Sequence, residues 1–218
     1  MSRLHLASLS CGIAFPIVYF AVQFIAAPFY PGYSFFSDDA STLGSEGSQY
    51  PGIFNGASIL QGVLLLLAIP AVTMRLRSSS PLLVWVVLFT FFAGAAACFN
   101  AGIFPLPDQR HVSGVLAGFG SFFFLLPFVL PFLFRSDPKA RRFRVYAWAN
   151  IAVMLSMIPI VSGLIQRVAG AWSIEMPRYQ EFLNDNFGII QRITAAVIII
   201  PVGVLCWRLL SSRISKSP

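Results

Sequence analysis

The sequence predicts an all-α fold: a polytopic transmembrane helical bundle of six helices with both termini cytoplasmic. Three observations predict it. Hydrophobic residues make up 57% of the 218-residue chain and charged residues only 11%, where a soluble domain carries about a quarter charged. The apolar residues come in long runs, and roughly 20 of them cross the ~30 Å hydrocarbon core as a helix. Lys and Arg gather on alternate connections, as the positive-inside rule demands. Little chain remains for a soluble domain. Residues 1–218 therefore read as one integral membrane domain, with spans at about 8–28, 51–74, 81–104, 111–134, 145–170 and 186–210.

The first span follows Arg3 and is longer than the 7–15 residues of a signal-peptide core, so it reads as a helix that is kept. It ends in Pro28-Phe29-Tyr30-Pro31-Gly32-Tyr33, aromatics suited to the membrane–water interface. The polar stretch SDDASTLGSEGSQ (37–49) follows. Pro51 suits the first turn of the second span, where its missing N–H costs nothing. The third span runs to a short connection at 105–110. Pro127 and Pro131 are expected to kink the fourth. Asp137-Pro138 separates it from the fifth. The connection AWSIEMPRYQEFLND (171–185) is mixed, and Pro177 is expected to start a short interfacial helix before the sixth span. The echoes of GLIQR (163–167) in GIIQR (188–192) and of GIFN (52–55) in GIFP (102–105) are too short to make a repeat.

Charge placement orients the bundle. Arg3, Arg75, Arg77, Arg135, Lys139, Arg141, Arg142, Arg144, Arg208, Arg213 and Lys216 fall on one side. Asp38, Asp39, Glu46, Asp108, Glu175, Glu181 and Asp185 fall on the other, with Arg110 and Arg178. The connections 29–50, 105–110 and 171–185 thus face out. The net charge of +7 is a topology signal and a contact for anionic membrane lipids, not a nucleic-acid surface.

Polar side chains in lipid face a bundle interior or a water-filled cavity. At 3.6 residues per turn, Gly52, Asn55, Ser58, Gln61 and Gly62 share one arc of the second span. Ala93, Ala96, Ala97 and Asn100 line the third, and His111, Gly114, Gly118 and Ser121 the fourth. Arg167 lies on the inner face of the fifth. Asp185, Gly188 and Arg192 share a face of the sixth, with Gln191 beside them. Arg192 starts roughly 10 Å below the outer end of its helix, deep enough to need a partner or water. Asn55, Gln61, Asn100, His111, Arg167 and Arg192 thus converge on the outer half of the bundle. They outline either an outward-facing polar cavity or a buried polar network. Gly114 and Gly118 read as a small-residue packing pair.

Cys11, Cys98 and Cys206 all fall within spans and read as small buried apolar residues. No metal-ligand spacing appears, and no cofactor is expected. No Gly-x-Ser-x-Gly elbow or His-Glu-x-x-His helix is present.

The order SDDASTLG, IFNGASILQG, AGIFPLPDQRH, GIIQRI resembles the domain of unknown function 998 family, over roughly residues 10 to 208. The matching positions are Ser37 and Asp38, Asn55 and Gly62, Gly102 to Pro105, His111, and Gln191 with Arg192. Ser-Asp-Asp stands where one acid is expected, so the equivalent acid is Asp38 or Asp39. The resemblance implies a prokaryotic membrane protein of about six spans, placed in the inner cell membrane, and no established activity.

Three functions compete, and the sequence favours the first. The first is a binder of a small anionic molecule or lipid headgroup, with Arg192 and Arg167 supplying charge and Asn55, Gln61, Asn100, His111 and Gln191 orienting it. Arg suits such a ligand because its donors form a fixed fork. A transporting variant would require an oligomer. The second is an acid/base enzyme using His111 with Asp108, Asp38 or Asp39. The third is a scaffold whose polar residues only lock the bundle. An open pocket favours the first two, and a filled network the third.

Overall fold

A computed structural model describes residues 2–135, 137–169 and 177–212, apart from the side chains at 115–117, 119, 121–124, 164 and 167–169. Among the described residues the secondary structure is entirely helical. The α-helices are α1 (Arg3–Ala26), α2 (Pro51–Leu76), α3 (Pro81–Ile103), α4 (Gln109–Phe124), α5 (Leu126–Leu133), α6 (Arg141–Ser156), α7 (Ile158–Ala169), α8 (Pro177–Asp185) and α9 (Phe187–Ser211). Among the described residues, four segments are long and apolar enough to cross a membrane: Arg3–Phe29, Pro51–Leu76, Pro81–Ile103 and Phe187–Ser211. They match the first, second, third and sixth expected spans closely.

The expected fourth and fifth spans are each broken in two. Pro127 and Pro131 lie just past the break at Leu125, between α4 and α5. A proline removes one helical hydrogen bond and its ring strikes the carbonyl four residues back. The kink foreseen at these prolines is therefore a full interruption. Pro159 sits at the corresponding place in the next pair, just after the break at Met157 between α6 and α7. The Met157 N–H is shared between the Val153 and Met154 carbonyls, both at 3.1 Å, which closes the end of α6. α8 begins at Pro177, where the sequence expected a short helix.

Side chains divide by what surrounds them. Leu9 and Phe15 of α1, Leu65 and Ala68 of α2, Phe91 of α3, and Ile199, Val202 and Cys206 of α9 are fully buried in one core. Ile17, Trp85, Phe89 and Trp207 point outward and are more than half exposed. Large apolar groups on the outside are what a hydrocarbon solvent permits, and helix association then rests on close packing by small residues. A Cβ at Gly12 would meet the Cys206 sulfur and Ala68, and one at Gly203 would meet the Pro16 ring. Those glycines let α1 lie against α2 and α9. The pair Gly114 and Gly118 does the same for α4 on α3: a Cβ there would strike the Asn100 side chain and Ala97. Cys98 and Cys206 are buried free thiols, as expected, and Cys11 is half-buried.

At the end bearing most basic residues, Arg208 pairs with Asp137. The Arg144 guanidinium donates to the Phe134 carbonyl at 3.1 Å and the Asp137 carbonyl at 2.6 Å, clasping the α5–α6 turn.

Candidate functional site

The opposite end is built around Arg192, in the second turn of α9 and only 8% exposed. Its Nε donates to Gln23 Oε1 at 2.8 Å. Its Nη1 donates to the Phe35 and Asp38 carbonyls, each at 2.9 Å. Its Nη2 donates to the Tyr33 hydroxyl. The Phe35 ring lies 4.9 Å below the guanidinium carbon, close enough for a cation–π contact. Among the described residues no carboxylate pairs with it. Its acceptors are neutral oxygens, and they are pre-arranged: Gln23 Nε2 donates to the Tyr19 carbonyl at 2.9 Å, leaving Oε1 for the arginine.

These bonds hold the connection between α1 and α2 down on the bundle as a cap. Gln191 Oε1 accepts from the Ala40 N–H at 2.9 Å. The Ile189 N–H, at the otherwise unsatisfied start of α9, donates to the Phe36 carbonyl at 3.0 Å. Asn55 Nδ2 donates to the Gly44 carbonyl at 2.9 Å, fixing the far side of the cap to α2. Val22, Ala26, Ala40, Leu43 and Phe54 form a small core beneath it. Gly188 allows the approach, because a Cβ there would meet the Asp38 and Phe35 carbonyls and Arg192 Nη1.

The two acids of the cap shape the backbone. Asp38 Oδ2 accepts from the Ser34 N–H at 2.8 Å. Asp39 Oδ1 accepts from the Thr42 N–H at 2.7 Å and the Thr42 hydroxyl at 2.6 Å, capping the short 3-10 helix Ala40–Gly44. Tyr33 donates its hydroxyl to the Asp39 carbonyl at 2.9 Å. Burial pushes that hydroxyl up to about 12 against the opposing pull of Arg192, so it stays protonated and can donate.

A second cluster ties α3 to α4. Asn100 Nδ2 donates to the carbonyls of Arg110 (2.8 Å) and His111 (3.2 Å). His111 is 4% exposed, and its Nδ1 lies 2.8 Å from the Phe104 carbonyl. A carbonyl only accepts, so Nδ1 carries the proton. Asp108 turns to Arg110 at 2.6 Å rather than to His111. Hydrogen bonds from Arg110 hold its carboxyl down at about 2.

The structure thus joins Gln191 and Arg192 to the cap, Asn55 to its other edge, and Asn100 to His111. Among the described residues it brings none of Asp38, Asp39 and Asp108 into a hydrogen bond with His111. Gln61 is buried at 3% exposure yet bonds to no described residue. The Arg167 side chain lies outside the described residues. Among those residues no cluster of metal-binding side chains occurs. Sequence reading missed Gln23 and Tyr33. Gln23 had a signal, an amide inside an apolar span, whereas Tyr33 was one interfacial aromatic among several.

Long apolar helices, lipid-type outer surfaces and a hydrogen-bonded polar cap define a membrane-embedded helical bundle. The chain belongs to the family described as "Protein of unknown function (DUF998)", which matches residues 13–208. Neither the curated proteins nor the solved structures contain a match to the chain.

Proposed function

We propose that the protein is a membrane scaffold, with a rigid outer cap carried on six crossings of the inner cell membrane of a prokaryote. Both termini are cytoplasmic, and the broken pairs α4–α5 and α6–α7 supply the fourth and fifth crossings. One observation carries the reading: the Arg192 guanidinium donates to Gln23, Tyr33, Phe35 and Asp38, groups of the protein itself. The same holds for Asn55 and Asn100, whose amides donate to backbone carbonyls. A filled network of this kind favours structural locking over an open ligand cavity.

A second reading has its own support. The Arg192 cation has no carboxylate partner among the described residues, and the start of α9 adds the positive end of a helix dipole. Both features attract a small anion or a lipid headgroup to the outer half, with Arg192, Gln191 and Asn55 nearest to it. The acid/base reading lacks the aspartate–histidine contact it needs.

The test is native mass spectrometry of gently purified protein, wild type beside a folded Arg192→Leu variant. The scaffold reading expects the same bound lipids in both, with the variant's cap opened to protease. A lipid or anion retained by wild type and lost from the folded variant would replace it with the binding reading.

A further inference from the structure

We propose that the exposed side of α6 binds an anionic phospholipid, with its phosphate on Arg141 and Arg142 and its chains along Val145 and Trp148. This rests on the proposed fifth crossing, which puts α6 in the bilayer. Exposure draws the lane. Arg141, Val145 and Trp148 recur at i, i+4 and i+7, on one face of the helix. Val145 is 62% exposed and Trp148 53%, and both arginines are exposed too. The opposite face, with Phe143, Ala147, Ile151 and Met154, is buried. The half-exposed Phe132 ring of α5 meets the Trp148 ring edge-on at 5.8 Å and widens the apolar lane. Trp148 lies roughly 10 Å along the axis from Arg141, and a headgroup layer is about 5–8 Å deep. A guanidinium at phosphate level therefore sets the indole at the edge of the hydrocarbon, where tryptophan is favoured.

The charge here exceeds what the protein itself neutralises. Asp137 is the only acid in the connections at this end. Its Oδ2 pairs with Arg208, and its Oδ1 accepts from the Lys139 N–H at 2.9 Å. Among the described residues no carboxylate pairs with Arg135, Arg141 or Arg142, all three exposed. Arg141 and Arg142 also occupy the first turn of α6, which holds no acid. The helix dipole favours acids there and disfavours cations. Orientation in the membrane accounts for basic residues at this end, but not for cations on the positive end of a helix. A phosphate offsets both the arginines and the dipole. The frame beneath them is fixed: Arg144 holds the Phe134 and Asp137 carbonyls, and the Phe134 and Phe143 rings pack edge-on at 5.1 Å. A soluble acidic partner would meet the arginines alone. A lipid joins phosphate to apolar chains in one molecule, and this face presents cations and apolar lane in that order.

The experiment is tryptophan quenching of the full chain in phosphatidylcholine nanodiscs. Phosphatidylglycerol or phosphatidylcholine with brominated chains is added at equal, low mole fraction. The signal of Trp148 is the part lost in Trp148→Phe. Local enrichment drives brominated phosphatidylglycerol to quench Trp148 as strongly as at least about 5-fold more brominated phosphatidylcholine, the effect of one basic side chain on an anionic lipid. In Arg141→Gln/Arg142→Gln the two lipids quench alike, and the quenching by phosphatidylcholine that remains shows that the variant is folded. Arg77→Gln, at an exposed arginine past the end of α2, keeps the preference. Equal quenching by the two lipids in wild type overturns this proposal and leaves the fifth crossing standing. If neither lipid quenches Trp148, α6 lies outside the bilayer and both fall. A preference lost equally in Arg77→Gln makes the enrichment diffuse and overturns the site. Polyglutamate bound by wild type but not by the double variant, with equal quenching by the two lipids, assigns the face to an acidic protein instead.

Discussion

Replacing Arg192 by Leu removes one side chain and releases four acceptors: Gln23 Oε1, the Phe35 and Asp38 carbonyls, and the Tyr33 hydroxyl. Hydrogen bonds to a charged donor contribute about 1.5–3 kcal/mol each, so the gross loss is about 6–12 kcal/mol. Two effects offset it. The cost of burying the cation disappears, several kcal/mol by itself. The cap can also lift and rehydrate its carbonyls. The net destabilisation is about 3–5 kcal/mol. At roughly 2–4 °C per kcal/mol for a chain of this size, Tm falls by about 6–20 °C. Chymotrypsin reads the same event locally, because Tyr33, Phe35 and Phe36 lie on the released segment. Cleavage there accelerates about 10-fold or more as local opening becomes easier. Arg192→Lys recovers only part of the loss, since one ammonium cannot replace a planar fork across four separated oxygens. A Leu variant within about 1 kcal/mol of wild type, with its cap equally resistant to protease, would refute the reasoning.

Gly188→Ala should destabilise by about 1–3 kcal/mol, measured by thermal unfolding. Helix propensity alone predicts a gain of nearly 1 kcal/mol, so the sign decides whether cap contact or helix preference rules at this position. Asn100→Ala frees the Arg110 and His111 carbonyls and should cost about 1 kcal/mol, read as a Tm shift of about 2–4 °C. Asp108 should titrate at about 2 in carboxyl-detected NMR, below its ordinary 3.8. Its folded value is depressed, so its contribution to stability is complete above the ordinary value and is lost as pH falls through about 2. In Arg110→Ala the titration should return to near the ordinary value.

Much of the fold was legible because hydrocarbon is an unforgiving solvent. Backbone groups cannot be left unpaired in it, so long apolar runs become helices, and the ends of α2, α3 and α9 fall within a few residues of where the sequence put them. The breaks at Leu125 and Met157 were harder to see. Hydropathy is indifferent to a missing N–H, and Pro159 carries no polarity to mark it. The site was legible as a level in the bundle but not as a set of bonds. The depth of Arg192 signalled that it needed partners. Two of its four partners are the backbone carbonyls of residues 35 and 38, and a carbonyl belongs to every residue type alike. Asn55 and Gln191 likewise meet backbone groups. Periodicity could place these amides on the inner face, but only the path of the cap shows what they touch.

The grip of Arg192 on the cap also sets an order of biosynthesis. The arginine lies 154 residues after Asp38 and 169 after Gln23. At about 5–20 residues per second, the ribosome needs roughly 8–30 s after making the cap before its clasp exists. During that interval Gln23 sits in the first helix with its side-chain carbonyl oxygen unclaimed by the arginine. The edge of the cap held by Asn55 needs only the second helix. The edge held by Arg192 and Gln191 closes when the last helix arrives, so the fully docked loop is a structural record that the whole bundle has been made.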